Sequence, residues 1–577
     1  MRLRFLSLCA LDRFCGRKRV RDPLLRLAAR RLFILPLGIL VGFACLAQGV
    51  AATPAPAPPS YDDEEETPLM AKMPPGEKAA RKACTICHQF VEPKLLDKKN
   101  WKEQILPRMS VRLGVALPDW SSSPEGELIK SRKVYTDRPL VPVEDWPLIE
   151  RWYLESAPET ALPQDPRPRI EVGLKGFRTE PARFRTPTPA TTLVKIVPES
   201  RHLFVGDERT GTIYILDSEG VKTAELDVEN VPTDLVVKPN GLYVTAIGTF
   251  MPSEIYRGEF LLFPRQGAGY GARKVLLSQL PRPTMARFAD FNGDGKEDFA
   301  LCMFGNLTGR FSWFEALGDD QYREHILSSK AGSIVVDICD LNGDGKPDLG
   351  VQMAQELETL VLMNNDGKGK FTGDVVFQSP PVYGNNYFEF ADFNKDGKPD
   401  LLVVNGDNGE YESPLKKYHG IRVYLNQGRG QFAETSFFPM NGCYKAVARD
   451  FDGDGDVDIA AISYFPDYVG DPRESFVYLE NTGDLKFAPT TFRECISGRW
   501  LVMDVGDLDG DGDLDIVLGS HIAGPKAVPQ MLLDTWTKQG PSARILRNLR
   551  NDRQAGSAGE APLLPPSASS APAVQKP

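Results

Sequence analysis

Apolar and polar residues follow four different rhythms along this chain, and each rhythm predicts a different kind of element. From Leu32 to Ala47 the sequence is almost continuously apolar, a run short of the roughly 20 residues that a membrane-spanning helix needs. From Val143 to Leu154, residues Leu148, Ile149, Trp152 and Tyr153 recur at helical spacing, which predicts an amphipathic helix with one buried face. Beyond about residue 190 a period-2 alternation takes over, as in Arg201 to Leu216 and Thr233 to Thr245, and predicts strands joined by tight turns. Residues 551–577 are Ala, Ser, Gly and Pro without periodicity, the pattern of a disordered tail. The rhythms divide the chain into a signal segment or membrane anchor (1–52), a Pro-rich and acidic linker (53–75), a helical domain (76–161), a linker with a strand leading onward (162–190), a β domain (191–550) and the tail (551–577).

Five copies of a nine-residue acidic motif punctuate the β domain. They start at Asp290, Asp340, Asp392, Asp450 and Asp507, advancing by 50, 52, 58 and 57 residues. That period, with β-rich runs between copies, predicts propeller blades rather than a helical solenoid. Oxygen ligands fall at positions 1, 3, 5 and 9: Asp290, Asn292, Asp294, Asp298; Asp340, Asn342, Asp344, Asp348; Asp392, Asn394, Asp396, Asp400; Asp450, Asp452, Asp454, Asp458; and Asp507, Asp509, Asp511, Asp515. Glycine at position 6 permits a sharp turn and position 7 offers its backbone carbonyl, so each copy is suited to one hard cation, about five Ca2+ ions in all. The loops match the first half of an EF-hand loop but lack its glutamate at position 12, and Phe299, Leu349 and Ile459 begin strands instead of helices. The competing reading is five acidic turns without metal, but carboxylates packed this closely repel one another without a cation. A structural role follows, each loop tying the first two strands of its blade. The arrangement resembles the FG-GAP or VCBS repeats of integrin-α-like propellers over about Met285 to Arg547. The resemblance implies that the calcium loops share one face. The opposite face would then gather Phe304, Gln352, Asn405, Tyr464, Tyr468, Arg499, Trp500, Ser520 and His521. Two upstream strand-and-turn runs without the motif raise the expected blade count to seven.

The stretch Cys84-Thr85-Ile86-Cys87-His88 carries the most specific chemistry. Two thiols and an imidazole at this spacing suit covalent haem attachment, with Cys84 and Cys87 as tethers and His88 as the proximal iron ligand. A zinc site would need a second pair of ligands, and the next histidine and cysteine are His202 and Cys302. Met109 is the one methionine in the rest of the helical domain and so the candidate distal ligand, with packing in the helical core as the alternative; Met70 and Met73 are weaker candidates. An unfilled sixth position would turn the chemistry from electron relay toward peroxidase or sensor activity. Trp101 and Trp146 are expected in the core. The segment resembles a single-haem cytochrome c domain. The expected fold is therefore mainly β, a seven-bladed β-propeller preceded by a small α-helical cytochrome c domain.

A net charge of −10 argues against a nucleic-acid partner. Arg17, Arg19, Arg21, Arg26, Arg30 and Arg31 precede the apolar run, and Ala47-Gln48-Gly49 and Val50-Ala51-Ala52 follow it. This pattern predicts export, with cleavage favoured over retention as an anchor, and a periplasmic or cell-surface location. An oxidising compartment permits disulfides among Cys302, Cys339, Cys443 and Cys495, with Cys443–Cys495 the preferred pair. No Ser-His-Asp, metalloprotease or phosphate-loop pattern accompanies His521, which is expected to be an ordinary surface or packing histidine. The leading expectation is an exported electron carrier, with haem doing the redox chemistry and the propeller docking a redox partner protein or, at its mouth, a polysaccharide or surface ligand. The alternatives are a propeller-based oxidoreductase that feeds the haem, and an adhesion or carbohydrate-binding protein with an accessory haem.

Overall fold

The computed structural model describes residues 68–551 except 356, 410–413 and 526–527. The signal segment, most of the acidic linker and nearly all of the tail lie outside these residues. Seven antiparallel sheets form a closed ring of blades. Blades 1 to 6 occupy 191–227, 232–280, 283–328, 333–378, 385–439 and 443–491. Blade 7 combines Trp500–Gly506, Asp515–Ser520 and Ala543–Asn548 with Phe177–Pro181 as its outermost strand. The fold is thus mainly β and the propeller has seven blades, five of which carry an acidic motif between their first two strands. The first and last parts of the propeller share one sheet, so the ring closes through hydrogen bonds.

The second strand of each blade from the second to the seventh is buried at every position, for example Gly241–Ala246, Asp298–Met303 and Asp400–Asn405. Such strands have neighbours on both edges and blades on both faces, which is why they read as apolar runs instead of alternating. The innermost strands line the ring, and acidic side chains on them reach across blade boundaries. Asp234 of blade 2 accepts from the Ala286 amide of blade 3 at 2.9 Å and faces Arg287 at 3.1 Å. Glu389 of blade 5 accepts from the Ala448 amide of blade 6. Asp504 of blade 7 accepts from the Ile196 amide of blade 1 at 2.8 Å, with Lys195 3.3 Å away. That last bond fastens the seam where the ring closes.

Residues 70–157 form the helical unit, with helices Pro75–Cys84, Leu106–Arg112, Gly126–Ser131 and Trp146–Ser156. Ala79, Ala80 and Ala83 give the first helix a narrow buried face, which meets Ile149 and Tyr153 of the last. The predicted helix over Val143 to Leu154 starts as a tight turn, Val143–Asp145, before Trp146–Ser156. Ile149 and Tyr153 are buried and Trp152 half-buried as expected, but Leu148 stays on the exposed side. Its backbone, not its side chain, marks the crossing: a β-carbon on Gly76 would lie 2.5 Å from the Leu148 carbonyl oxygen and 2.7 Å from the Trp152 β-carbon. Trp101 and Trp146 are core residues, and the Trp101 indole donates to the Pro93 carbonyl at 2.8 Å. No helix among the described residues is long and apolar enough to cross a membrane.

The helical unit rests on one end of the propeller. In antiparallel blades the loops after the first and third strands emerge at one end and the remaining loops at the other. The acidic motifs all join first to second strands, so they share an end. The helical unit contacts the other. Glu125 accepts from Ser253 Oγ at 2.7 Å and from the Glu254 amide at 2.5 Å. Arg132 pairs with the buried Glu254 at 2.7 Å and lies 3.7 Å above the Tyr256 ring. Tyr418 donates to the Leu95 carbonyl at 3.3 Å, and Val382 packs against the helical core. The connecting segment is held as well: Arg167 pairs with buried Glu474 and donates to Asn441 Oδ1 at 2.9 Å, and Glu171–Val172 adds a short parallel strand to blade 6.

Two substitutions test these joints. Asp504→Ala strands the Ile196 amide at the seam and should lower stability by about 1–3 kcal/mol, measured as a lower urea midpoint with an unchanged slope. Gly76→Ala forces the two helices apart and should cost about 1–3 kcal/mol of helical-unit stability, measured by hydrogen exchange of the Pro75–Cys84 amides; unchanged protection would refute the close crossing.

Candidate functional site

Two sets of sequence-predicted residues form coherent sites. The first lies at the end of helix Pro75–Cys84. Cys84 is its last residue, Thr85 Oγ1 donates back to the Arg81 carbonyl at 2.7 Å, and the chain turns so that Cys87 is exposed while Cys84 is half-buried. Neither forms a disulfide. Burial pushes the Cys84 thiol up to about 11, and its sulfur lies 3.8 Å from the Tyr153 hydroxyl. His88 Nδ1 lies 2.8 Å from the Gln89 carbonyl oxygen. A carbonyl only accepts, so Nδ1 is the donor in this contact and Nε2 is the nitrogen left to face a metal. Met109 is half-buried and packs on the same apolar cluster as Cys84, Ile86 and Phe90. Met70 is buried in a short turn, Met70–Lys72, ahead of the helix. Arg81 braces this corner through Glu77 at 2.9 Å, Glu92 at 3.0 Å and the face of Phe90 at 4.3 Å. The residues present fit a haem tethered through two thiols. They fit zinc poorly, because Cys84, Cys87 and His88 are not drawn into one ligand cluster; among the described residues such clusters are Asp450, Asp452, Asp454 and Asp507, Asp509, Asp511.

The second set is the acidic loops. In each, position 1 organises the turn through glycine amides: Asp290 accepts from Gly293 at 2.8 Å and Gly295 at 2.9 Å, and Asp507 from Gly510 at 2.6 Å and Gly512 at 3.1 Å. Position 6 is left-handed in every copy, with φ of +78° to +91°, where glycine alone is unstrained. Position 9 behaves differently from positions 1, 3 and 5. Asp298, Asp348, Asp400, Asp458 and Asp515 are wholly buried. Each accepts from the position-2 amide and from a third-strand amide, as Asp348 does from Leu341 at 3.0 Å and Asn365 at 2.7 Å. Burial raises the pKa of all five, Asp458 to about 6 and Asp515 to about 7.

The five loops are not electrostatically equal. In the first three, a lysine at position 7 pairs with the position-5 carboxylate: Lys296 with Asp294 at 3.0 Å, Lys346 with Asp344 at 2.9 Å and Lys398 with Asp396 at 3.0 Å. The last two carry Asp456 and Asp513 there instead. Their first three acids converge, and in the fifth loop the buried Asp513 and its neighbour Asp509 each keep a carboxylate oxygen without a hydrogen-bond partner. Burial and neighbouring aspartates lift Asp511 to about 6.

At the opposite mouth, His521 is fully buried, in keeping with a packing histidine. Its Nε2 lies 2.6 Å from Glu208 and its Nδ1 2.8 Å from the Ala523 carbonyl, joining blades 7 and 1. Arg499 spends its guanidinium on the carbonyls of Tyr464, Ala523 and Pro525 and stacks over Tyr464 at 3.9 Å. These groups tie loops together. The expected Cys443–Cys495 pair is not formed: Cys302, Cys339, Cys443 and Cys495 are all free, Cys443 lying in the core cluster of blades 5 and 6 and Cys495 in that of blades 6 and 7. Sequence reasoning also missed Gly76, the Glu254–Arg132 contact and the seam acid Asp504. A glycine inside the first helix was the one available signal for a close crossing.

The FG-GAP-like repeat family matches residues 290–351 and 355–403, which cover the first three acidic loops. No curated protein matches the chain. Among solved structures, a luciferin-regenerating enzyme is 10% identical over 50% of this chain and 88% of its own, with a TM-score of 0.33. The periplasmic gluconolactonase of Pseudomonas aeruginosa is 11% identical over 52% of this chain and 85% of its own, with a TM-score of 0.36. Likenesses this distant carry no function with them.

Proposed function

We propose that the protein is an exported, calcium-stabilised electron carrier that holds one covalent haem c in its helical unit and uses the propeller as a platform for a redox partner protein. The observation that carries this reading is the placement of Cys84, Cys87 and His88 at one helix end, with His88 Nδ1 engaged by the Gln89 carbonyl. In it Cys84 and Cys87 tether the haem, His88 Nε2 is the proximal ligand and Met109, on the same apolar cluster, is the distal one. Haem c supplies a one-electron couple at this place. The buried cluster of Trp101, Ile149 and Tyr153 keeps water from the inner side, and Arg81 holds the Phe90 corner in place. An exported chain in an oxidising compartment, periplasmic or at the cell surface, agrees with the basic and apolar N-terminal run.

Expression in a cell competent for haem c maturation should give a covalent haem with a reversible low-spin couple, read by visible absorption and redox titration. Cys84→Ala with Cys87→Ala should abolish covalent attachment, and Met109→Ala should remove the sulfur-ligated signature. A chain that carries no covalent haem in such cells would end this reading.

Calcium on the acidic loops accounts for carboxylates that otherwise repel one another. Binding at a hundredfold excess over Kd adds about 2.7 kcal/mol per site, so chelator should lower the melting temperature. Because lysines already neutralise the first three loops in part, Asp454→Asn with Asp511→Asn should remove most of the calcium-dependent rise, while Asp294→Asn with Asp344→Asn should leave most of it. Equal losses from the two double variants would refute the ranking of the loops, and indifference to chelator would refute calcium itself.

A further inference from the structure

Between blades 4 and 5, beside the loops that carry the helical unit, lies a cleft of about 250 Å³. Phe377 of blade 4, Tyr383 of the connector, and Asn405, Arg422, Tyr424 and Glu434 of blade 5 line it. Arg422 is the anomaly. Its side chain is almost fully buried, on the third strand opposite Val403. Blades 3, 4 and 6 place Ser312, Val361 and Val477 at the same register, so the fold does not require a charge there. Blade 7 repeats the arginine as Arg544, which faces the Phe492 ring at 5.5 Å.

Burying a guanidinium is costly unless its donors are used. Arg422 donates through Nη1 to Asn405 Oδ1 and through Nη2 to the Tyr418 carbonyl at 3.0 Å, and its Nε is 3.3 Å from Glu434. Nη1 and Nη2 each have one acceptor, which leaves each a second N–H, and the guanidinium face lies 4.1 Å from the Phe437 ring. The aromatic walls are ordered in pairs: Phe377 stacks on Tyr424 at 5.4 Å and Tyr383 on Tyr418 at 4.5 Å. The Tyr424 hydroxyl donates to the half-exposed Glu434 at 3.0 Å. Arg422 and Glu434 balance in charge, so the cleft favours a neutral occupant. Its volume lies just below the range of roughly 300–1,000 Å³ that holds drug-sized ligands, which suits a single ring and not a polymer segment. A larger hollow of about 520 Å³ on blade 2 offers no comparable buried group, because its Arg273 is bound by Glu229, Glu259 and the Val228 carbonyl and its Arg257 is exposed.

From this geometry we infer that the cleft between blades 4 and 5 is a binding site for a neutral monosaccharide ring, with Arg422 and Glu434 as its polar recognition pair. Ring C–H groups pack on Tyr383, Phe377 and Tyr424, while hydroxyls accept from the spare Arg422 donors and donate to Glu434 and Asn405. The inference is independent of the haem reading. Its test titrates the full chain, with and without haem, with methyl glucoside, methyl galactoside, methyl mannoside and methyl glucuronide, using saturation-transfer NMR and calorimetry. At least one neutral glycoside should bind with a Kd of about 1 mM or tighter. Glu434→Gln, a change on an exposed side chain that leaves the fold intact, and Tyr424→Phe should each weaken that binding by about tenfold. No neutral glycoside bound at about ten times that concentration, equal binding by both variants, or a preference for the glucuronide would each overturn the assignment.

Discussion

Five carboxylates sealed from solvent organise the five motif-bearing blades of this propeller. The ninth residue of each acidic motif turns inward, takes the position-2 amide of its own loop and reaches an amide on the third strand. Loop, second strand and third strand are thereby fixed to one another before any cation is considered. Two charge-assisted bonds from backbone amides offset part of the cost of burying the carboxylate, and its raised pKa is the visible remainder of that cost. The side chains at positions 1, 3 and 5 stay at the surface of the loop, where a cation could reach them, because the ninth is the one turned into the fold. This division of labour separates a loop that merely turns from one suited to hold an ion.

The alternation of antiparallel loops then makes the two ends of the ring chemically unlike. One end concentrates aspartate. The other carries aromatic and basic residues, and it is there that the helical unit docks through Glu125, Arg132 and Leu95. The buried Glu254 is the centre of that contact, receiving Arg132, the Leu307 amide at 2.5 Å and the Thr308 hydroxyl at 2.6 Å. Removing one partner of such a buried pair leaves the other uncompensated, so the joint is specific as well as attractive. The connecting segment is pinned by Arg167 and continues into the outermost strand of blade 7. Ring closure and docking of the helical unit are therefore two ends of one stretch of chain.

Much of this was legible because the signals are local and repeated. The acidic motif recurs every 50 to 58 residues, and with the two upstream strand-and-turn runs it gave the blade count before any coordinates. Phe177–Pro181 was not legible as a blade strand, being five residues of mixed burial in a proline-rich stretch whose partner lies more than 360 positions away. Cys443 and Cys495 sit near equivalent strand starts in successive blades, but the blade between them separates their side chains into different cores, a rotation that sequence spacing does not encode. Leu148 fell on the apolar stripe of its helix, yet Gly76 brings the helices so close that the backbone fills the space a leucine would have taken. Arg422 was hidden by its setting, since one charged residue in a strand of alternating pattern looks like an outward-facing position.

The docking geometry also constrains how the helical unit can exchange electrons under the proposed reading. The contacts to the propeller described above come from Leu95, Glu125, Arg132 and the core beside Val382. Cys87 is exposed on the Cys84–His88 turn and His88 only half-buried. A unit held at these points keeps a fixed orientation relative to the propeller. Pre-fixing orientation lowers the entropy lost on encounter. Under that reading the propeller would contribute to electron exchange by fixing the orientation in which the helical unit meets its partner.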